Sequence, residues 1–295
     1  MSEPSSHWQP AVETVRAAEP SLYGPHSFTD YLRTNDFDPR NFRTAAEISI
    51  DTHSDLTEVL RANDTMVLRL GSAPDGTGTQ FALCRVPGQL TDFFIDESTF
   101  RKPTQTNIDL RPESDDCHQF DQQTQDMLRA YRLLPRFSES SLVNLALTTG
   151  LVSRALGLDS DRIGTAPVTV NSTFEFDFRP HPTINQPLHH NNGQVEVDAC
   201  VVSRRHGKRV AVVLEAKTGP PGTIAKHKLA YPTFGLRSSA VGIVDEIIPV
   251  YCRATRSGEA IEYSIYECSP IPVAADQPTL TDVAVTSHSE YRLQI

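Results

Sequence analysis

The apolar positions of this chain switch rhythm along its length, and the switches mark its elements. Ser54-Asp55-Leu56-Thr57-Glu58-Val59-Leu60 predicts a helix, with a serine N-cap ahead of the apolar residues and an acid in the first turn. Met66–Leu70 and Gln80–Val86 are rich in β-formers and predict strands. The glycine-rich stretch between them, Gly71 to Gly78, has the glycine spacing of a phosphate loop. It carries Thr77 where the lysine belongs and a proline inside, so a turn is expected. Residues 101–125 are polar and mostly aperiodic, and a domain boundary is expected there. From about 119 to 157 the period becomes helical, with Ser138 as a cap, apolar positions running from Leu142 to Leu156, and Gly157 as a stop. Three strand candidates follow, at 167–178, 194–203 and 209–217. Lys226–Ser238 is expected to hold a short helix and a loop, and Ile247–Ala254 and Ile261–Cys268 to be closing strands. The pattern predicts a loose polar arm over residues 1–20, an N-terminal α+β domain of unassigned role over 21–118, and an α/β domain with a mixed central sheet over 119–295. No internal repeat or low-complexity tract is visible.

Composition narrows the setting. No apolar run approaches the roughly 20 residues that span a bilayer, and the N-terminus lacks a basic start followed by an apolar run, so no membrane partner and no secretory signal are expected. The five cysteines are scattered and form no Cys-x-x-Cys, which argues against a zinc ribbon or disulfide framework and fits a reducing cytoplasm. Asp plus Glu outnumber Lys plus Arg by 37 to 27, for a net charge of −10, and only five of the basic residues are lysines. Excess carboxylate with scarce lysine resembles the proteins of salt-loving microbes, where screening limits each repulsion to a few ångströms. The global charge counts against nucleic-acid binding. Locally the picture reverses, because four of the five lysines lie between 208 and 228.

That basic region contains the most informative segment. Two β-rich runs, Gly193 to Val202 and Val210 to Lys217, flank Ser203-Arg204-Arg205-His206-Gly207-Lys208-Arg209. This is a hairpin signal, whether the turn is His206-Gly207 or the four residues Arg205 to Lys208. Either turn sets Arg204 opposite Arg209, so Asp198 falls opposite Glu215 and Glu196 opposite Lys217, with all four expected on one side. Facing carboxylates repel by a few kcal/mol at an effective dielectric near ~20, and a hard divalent cation neutralises such a pair well. Lys217 lies two residues from Glu215, where it can orient or deprotonate a metal-bound water and meet a phosphate's charge. The bland alternative is a solvated hairpin carrying an ordinary Glu-Lys pair.

Asp198, a hairpin, then Glu215-Ala216-Lys217 ending an apolar strand, preceded by a helix and a strand, resembles the PD-(D/E)XK nuclease superfamily. The resemblance covers roughly residues 138–268. It implies a restriction-endonuclease-like core and a Mg²⁺-dependent DNA endonuclease, with restriction-type cleavage as the leading expectation, that accepts Mn²⁺ as a substitute. Asp198, Glu215 and Lys217 would be catalytic, with Asp198, Glu215 and Ala216 at the metal. Val197 stands where the family's proline often precedes the first acid. The core helix of the family often carries a further acid, for which Glu139 is the candidate, and Glu196 is a possible accessory. Lys228-Leu229-Ala230-Tyr231-Pro232 resembles a Gln-x-x-Tyr-Pro segment of some members, with lysine in place of glutamine, so Lys228 and Tyr231 join the accessory set.

Phosphate contact is expected from Lys226, Lys228 and Arg237 after the motif, and from Arg204 and Arg205 at the hairpin tip. Double-stranded DNA is the favoured partner, and a homodimer is possible. His189-His190-Asn191-Asn192 is expected to be a polar loop near the site, since adjacent histidines of an extended chain point apart. Two other readings use the same fold without turnover: a nucleic-acid-binding module, or an assembly subunit suggested by the net charge of −10.

Overall fold

The computed structural model describes residues 6–18, 21–74, 76, 78–134, 136–160, 170–274 and 277–295. Its strands are β1 Leu22–Ser27, β2 Thr65–Ser72, β3 Thr79–Arg85, β4 Phe94–Asp96, β5 Thr106–Asp109, β6 Val170–Phe178, β7 Leu188–Val197, β8 Ala199–Arg205, β9 Lys208–Thr218, β10 Thr223–Ala225, β11 Glu246–Ser257, β12 Ala260–Cys268, β13 Ile271–Pro272 and β14 Val285–Gln294. The α-helices are α1 Gln9–Ala17, α2 Phe28–Thr34, α3 Thr44–Ile48, α4 Glu58–Arg61, α5 Asp115–His118, α6 Gln122–Leu133, α7 Glu139–Thr148, α8 Leu151–Leu156 and α9 His227–Ala240. The fold is mixed α and β, with two large sheets. One runs β1-β3-β2-β7-β6, and the other runs β5-β14-β12-β11-β9-β8, with β13 on the side of β11. The second sheet is mixed: β9 and β11 are parallel, while β8–β9, β11–β12 and β12–β14 are antiparallel.

The β8–β9 hairpin adopts the expected register. Arg204 pairs with Arg209, and the ladder runs without a slip to Ala199 opposite Leu214. His206 and Gly207 both take positive φ, 52° and 80°, as a tight two-residue hairpin turn requires. One face of β9 (Val210, Val212, Leu214, Ala216) packs with α7 and α8 in a core cluster. The opposite face places Ala211 and Val213 with Val197, Ala240, Val244 and Ile247. Period-two alternation therefore puts the Glu215 and Lys217 side chains on the face nearer α9.

Several expectations need correction. Residues 8–17 are no loose arm: Trp8, Ala11, Val12 and Val15 are buried at helical spacing, and Trp8 packs against Phe28, Tyr31 and Phe81. Residues 1–5, 19 and 20, positions 75 and 77 of the glycine-rich stretch, and 167–169 of a strand candidate lie outside the described residues. The helix read from Ser54 is a 3₁₀ turn, His53–Asp55, closed by a Thr52/Asp55 capping box, followed by the short α4. Residues 227–240 form one helix of 14 residues with Pro232 inside it, where a short helix and a loop were expected. The candidate strand 194–203 is two strands that part at Asp198. β7 leaves for the N-terminal sheet, where it pairs with β6 and touches β2 at Gly71, opposite Asn191. That meeting is tight: a Cβ on Gly193 would lie 2.6 Å from the Gly71 Cα. A boundary near residue 118 accordingly does not separate the sheets, since β5 joins the second sheet and β6–β7 join the first.

Candidate active site

The parting of β7 from β8 creates the site. Asp198 sits at the bend, and its Oδ2 accepts the Ala216 N–H at 2.7 Å, holding the carboxylate beside the β9 motif. Glu215 is 5% exposed, and its Oε1 lies 2.8 Å from the Lys217 Nζ. Burial pushes the Glu215 carboxyl up to about 7; Lys217 opposes the rise, and Asp198 adds to it. Burial likewise raises Asp198, against its Ala216 hydrogen bond and Lys217, with Glu139 and Glu196 adding repulsion. For Lys217, burial works downward but is outweighed by Glu215, Glu139 and Asp198, so its pKa is raised and the ammonium is retained.

Glu139 enters from the first turn of α7, which Ser138 caps. Its Oε1 accepts from the Thr218 N at 3.2 Å and Oγ1 at 3.3 Å, so the helix acid meets the last residue of β9. Glu196 does not face Lys217 across the hairpin. Because β7 has left, it pairs with Asn171 of β6, yet it still borders the cavity next to Glu215. Among the described residues, no three His, Cys, Asp or Glu side chains gather as a metal cage. A divalent cation here would rest on Asp198 and Glu215, with Ala216 between them, and take waters and substrate oxygens for the remainder of its shell. The donors fit that description: two carboxylates held above their ordinary pKa range are relieved by a nearby cation.

A cavity of about 250 Å³ opens beside Glu215. It brings in Lys228, ion-paired to Asp51 at 3.1 Å, and the buried Tyr231, as well as His190, His227 and Arg69. The two histidines of the supposed loop lie on β7 and do point apart. His189 is exposed against Asp177, while His190 is buried, stacked on Phe176 and lowered to about 4 by burial. The other basic candidates lie elsewhere. Lys226 is half-buried, and burial lowers its pKa, with Asp92 and Asp282 opposing. Arg237 donates to the Val273 carbonyl at 3.3 Å. Arg205 pairs with Glu267 at 2.5 Å, and Arg204 is exposed beside it at the hairpin tip. The tip is nine residues of β9 from Lys217, about 30 Å at an extended rise.

Sequence reasoning did not find the network that borders Lys217. Arg253, opposite Lys217 on β11, donates Nε to both oxygens of Glu97 at 2.7 and 2.8 Å, and Tyr251 donates to the same carboxylate at 2.8 Å. Arg253 also reaches the Thr218 carbonyl at 3.2 Å.

Residues 106–270 match the model of a family described as Domain of unknown function (DUF6997). No curated protein matches the chain, and no solved structure does. The matched span includes Glu139, Asp198, Glu215, Lys217, Lys228 and Tyr231, and excludes Asp51, Arg69 and Glu97. Among the described residues, no helix is long and apolar enough to cross a membrane.

Proposed function

This chain belongs to the DUF6997 family, and we propose that it is a Mg²⁺- or Mn²⁺-dependent DNA endonuclease with a restriction-endonuclease-like core and Asp198, Glu215 and Lys217 at its centre. The observation that carries the reading is the convergence, at the end of β9, of Asp198 and Glu215, both raised in pKa by burial, on the ammonium of Lys217. Acids displaced in this way mark a candidate functional site, and Glu215 lines the cavity beside it. A bound divalent cation supplies a water of lowered pKa and polarises the phosphate. Asp198 and Glu215 would hold it, and the Ala216 N–H fixes the Asp198 carboxylate for that task. Lys217, kept protonated by the surrounding acids, meets charge that develops on the phosphate. Glu139 anchors the strand end through Thr218, which keeps the motif in position. Lys228 and Tyr231 extend the site along the cavity as accessory contacts to the substrate.

The test is nicking of supercoiled plasmid by the full chain with Mg²⁺ or Mn²⁺, and its loss in EDTA. DNA binding without nicking in either metal, across a KCl series, would overturn the enzyme in favour of a binding module. Absence of both would favour an assembly role.

A further inference from the structure

We infer that Arg69, from the N-terminal part of the chain, binds a phosphate group inside the cavity beside Glu215, so that the N-terminal sheet contributes to the substrate site. This deepens the nuclease reading and rests on it for the identity of the substrate.

The first support is the state of Arg69. It projects from β2, is half-buried and lines the same cavity as Glu215, Lys228, His227 and Tyr231. No carboxylate lies within ion-pair distance of it among the described residues, and its recorded polar contact is the Ser49 hydroxyl at 3.5 Å. Other sheltered cations near the site differ: Arg253 has Glu97, Lys217 has Glu215 and Lys228 has Asp51. A half-buried guanidinium without a carboxylate leaves a planar set of donors suited to a phosphate.

The second support comes from the cavity wall. The His227 Nδ1 and the Tyr231 hydroxyl are buried and have no hydrogen-bond partner among the described residues, in side chains 7% and 5% exposed. Buried polar groups of this kind are ordinarily satisfied, so two of them bordering one cavity point to a ligand with polar atoms. Both belong to the first turns of α9, a helix of 14 residues with no side-chain cap and no acid in its first turn. Asp51 meets Lys228 in that first turn at 3.1 Å and offsets part of the positive helix end, whose remainder adds to the attraction for an anion.

The third support is rigidity. Strand β4 pairs with β10, the Ala225 N–H donates to the Asp51 carbonyl at 2.8 Å, and the Lys226 N–H donates to the Phe93 carbonyl at 2.8 Å. The N-terminal segments are thereby fastened to the turn between β9 and α9, which holds Asp51 and Ser49 at the cavity.

The experiment measures binding of thymidine 3′,5′-bisphosphate by calorimetry in EDTA, alongside plasmid nicking in Mg²⁺. Wild type should bind, Arg69→Ala should bind at least tenfold more weakly, and Arg69→Lys should fall between, since it keeps the charge and loses the planar fork. Lys208→Ala, at the far end of the hairpin, should bind as wild type does. Thermal melts check that each variant is folded, and Arg69→Lys carries the test if Arg69→Ala does not fold. Equal binding by wild type and a folded Arg69 variant, or no binding by wild type, overturns the inference. If nicking persists in that case, the nuclease reading stands without it. If binding depends on Arg69 but wild type never nicks DNA, the phosphate site stands and the nuclease reading falls.

Discussion

The two ends of the β8–β9 hairpin are both crowded with charge, and they treat it in opposite ways. At the tip the cations are paired or left in water: Arg205 meets Glu267 at 2.5 Å, Lys208 meets Glu246 at 3.1 Å with the lysine 61% exposed, and Arg204 and Arg209 are exposed. At the other end Glu139, Glu196, Asp198 and Glu215 act on one another around Lys217, and the central acids are pushed up in pKa by burial and repulsion. Water and pairing resolve the tip. The base of the hairpin buries Glu215 and half-buries Asp198 close to other acids, an arrangement that costs folding energy and is retained where charge is used. The density of basic residues pointed to the tip; the displaced acids point to the base.

The largest expected effect tests whether the base performs chemistry. Lys217→Ala and Asp198→Ala should each lower Mg²⁺-dependent nicking by about a hundredfold or more, as for loss of a charge-stabilising group in a transition state. Binding in Ca²⁺, measured by gel shift, should stay within about tenfold, or about 1.4 kcal/mol, because grip on DNA is spread over many phosphate contacts. Undiminished nicking by Lys217→Ala would move the active site elsewhere.

A second test sets the strained acids against a buried charge that is fully satisfied. Glu97 accepts from Arg253, Tyr251 and the Gly222 N–H, so Glu97→Ala would strand a guanidinium that is 9% exposed. Breaking a buried pair in this way costs about 3–5 kcal/mol. Urea unfolding should register that loss, and a cost below about 1 kcal/mol would show that the network is solvated in solution.

These contrasts also mark where the sequence was readable. The β8–β9 register follows from local chemistry, because the two-residue His206-Gly207 turn fixes which residues face each other. Ser138 announces α7, and Glu139, the candidate core-helix acid, stands in its first turn and accepts from Thr218. The departure of β7 at Asp198 was illegible, since it depends on pairing with β6 and on the close approach of Gly71 and Gly193. Arg69 and the Glu97–Arg253 pair were hidden for the same reason; the latter joins residues 156 positions apart. Trp8 is a different case, because its spacing to Ala11, Val12 and Val15 was present and was outweighed by the polar residues around it.

A third prediction uses Glu215 as a reporter. In the fold its carboxyl keeps a proton up to about pH 7, whereas in the unfolded chain it releases one in the ordinary carboxylate range. Between those limits the native state binds more protons, so stability is full at the lower pH and is lost as pH rises through about 7. In EDTA, the urea midpoint of wild type should fall from pH 5 to pH 8 more steeply than that of Glu215→Gln. Mg²⁺ should flatten the wild-type slope by favouring the ionised form. Parallel slopes for the two proteins would mean that Glu215 is better solvated than its 5% exposure implies.

The smallest effect is expected at the tip, and it closes the comparison from the other side. Lys208 is solvated and Arg204 is exposed, so neither charge has been paid for by burial. Exposed ion pairs contribute about 0–1 kcal/mol, so replacing both residues with alanine should change stability by no more than that. The tip also lies about 30 Å along β9 from Lys217, beyond the screening length of about 8 Å at physiological salt, so its charges exert little field at the motif. Nicking by the double variant at saturating DNA should therefore match wild type, with any change confined to weaker binding and a shallower salt dependence. Urea melts and nicking rates at two KCl concentrations measure both quantities. A large loss of turnover at saturating DNA would mean that the tip reaches the reacting strand, and that the distinction between the two ends has been drawn in the wrong place.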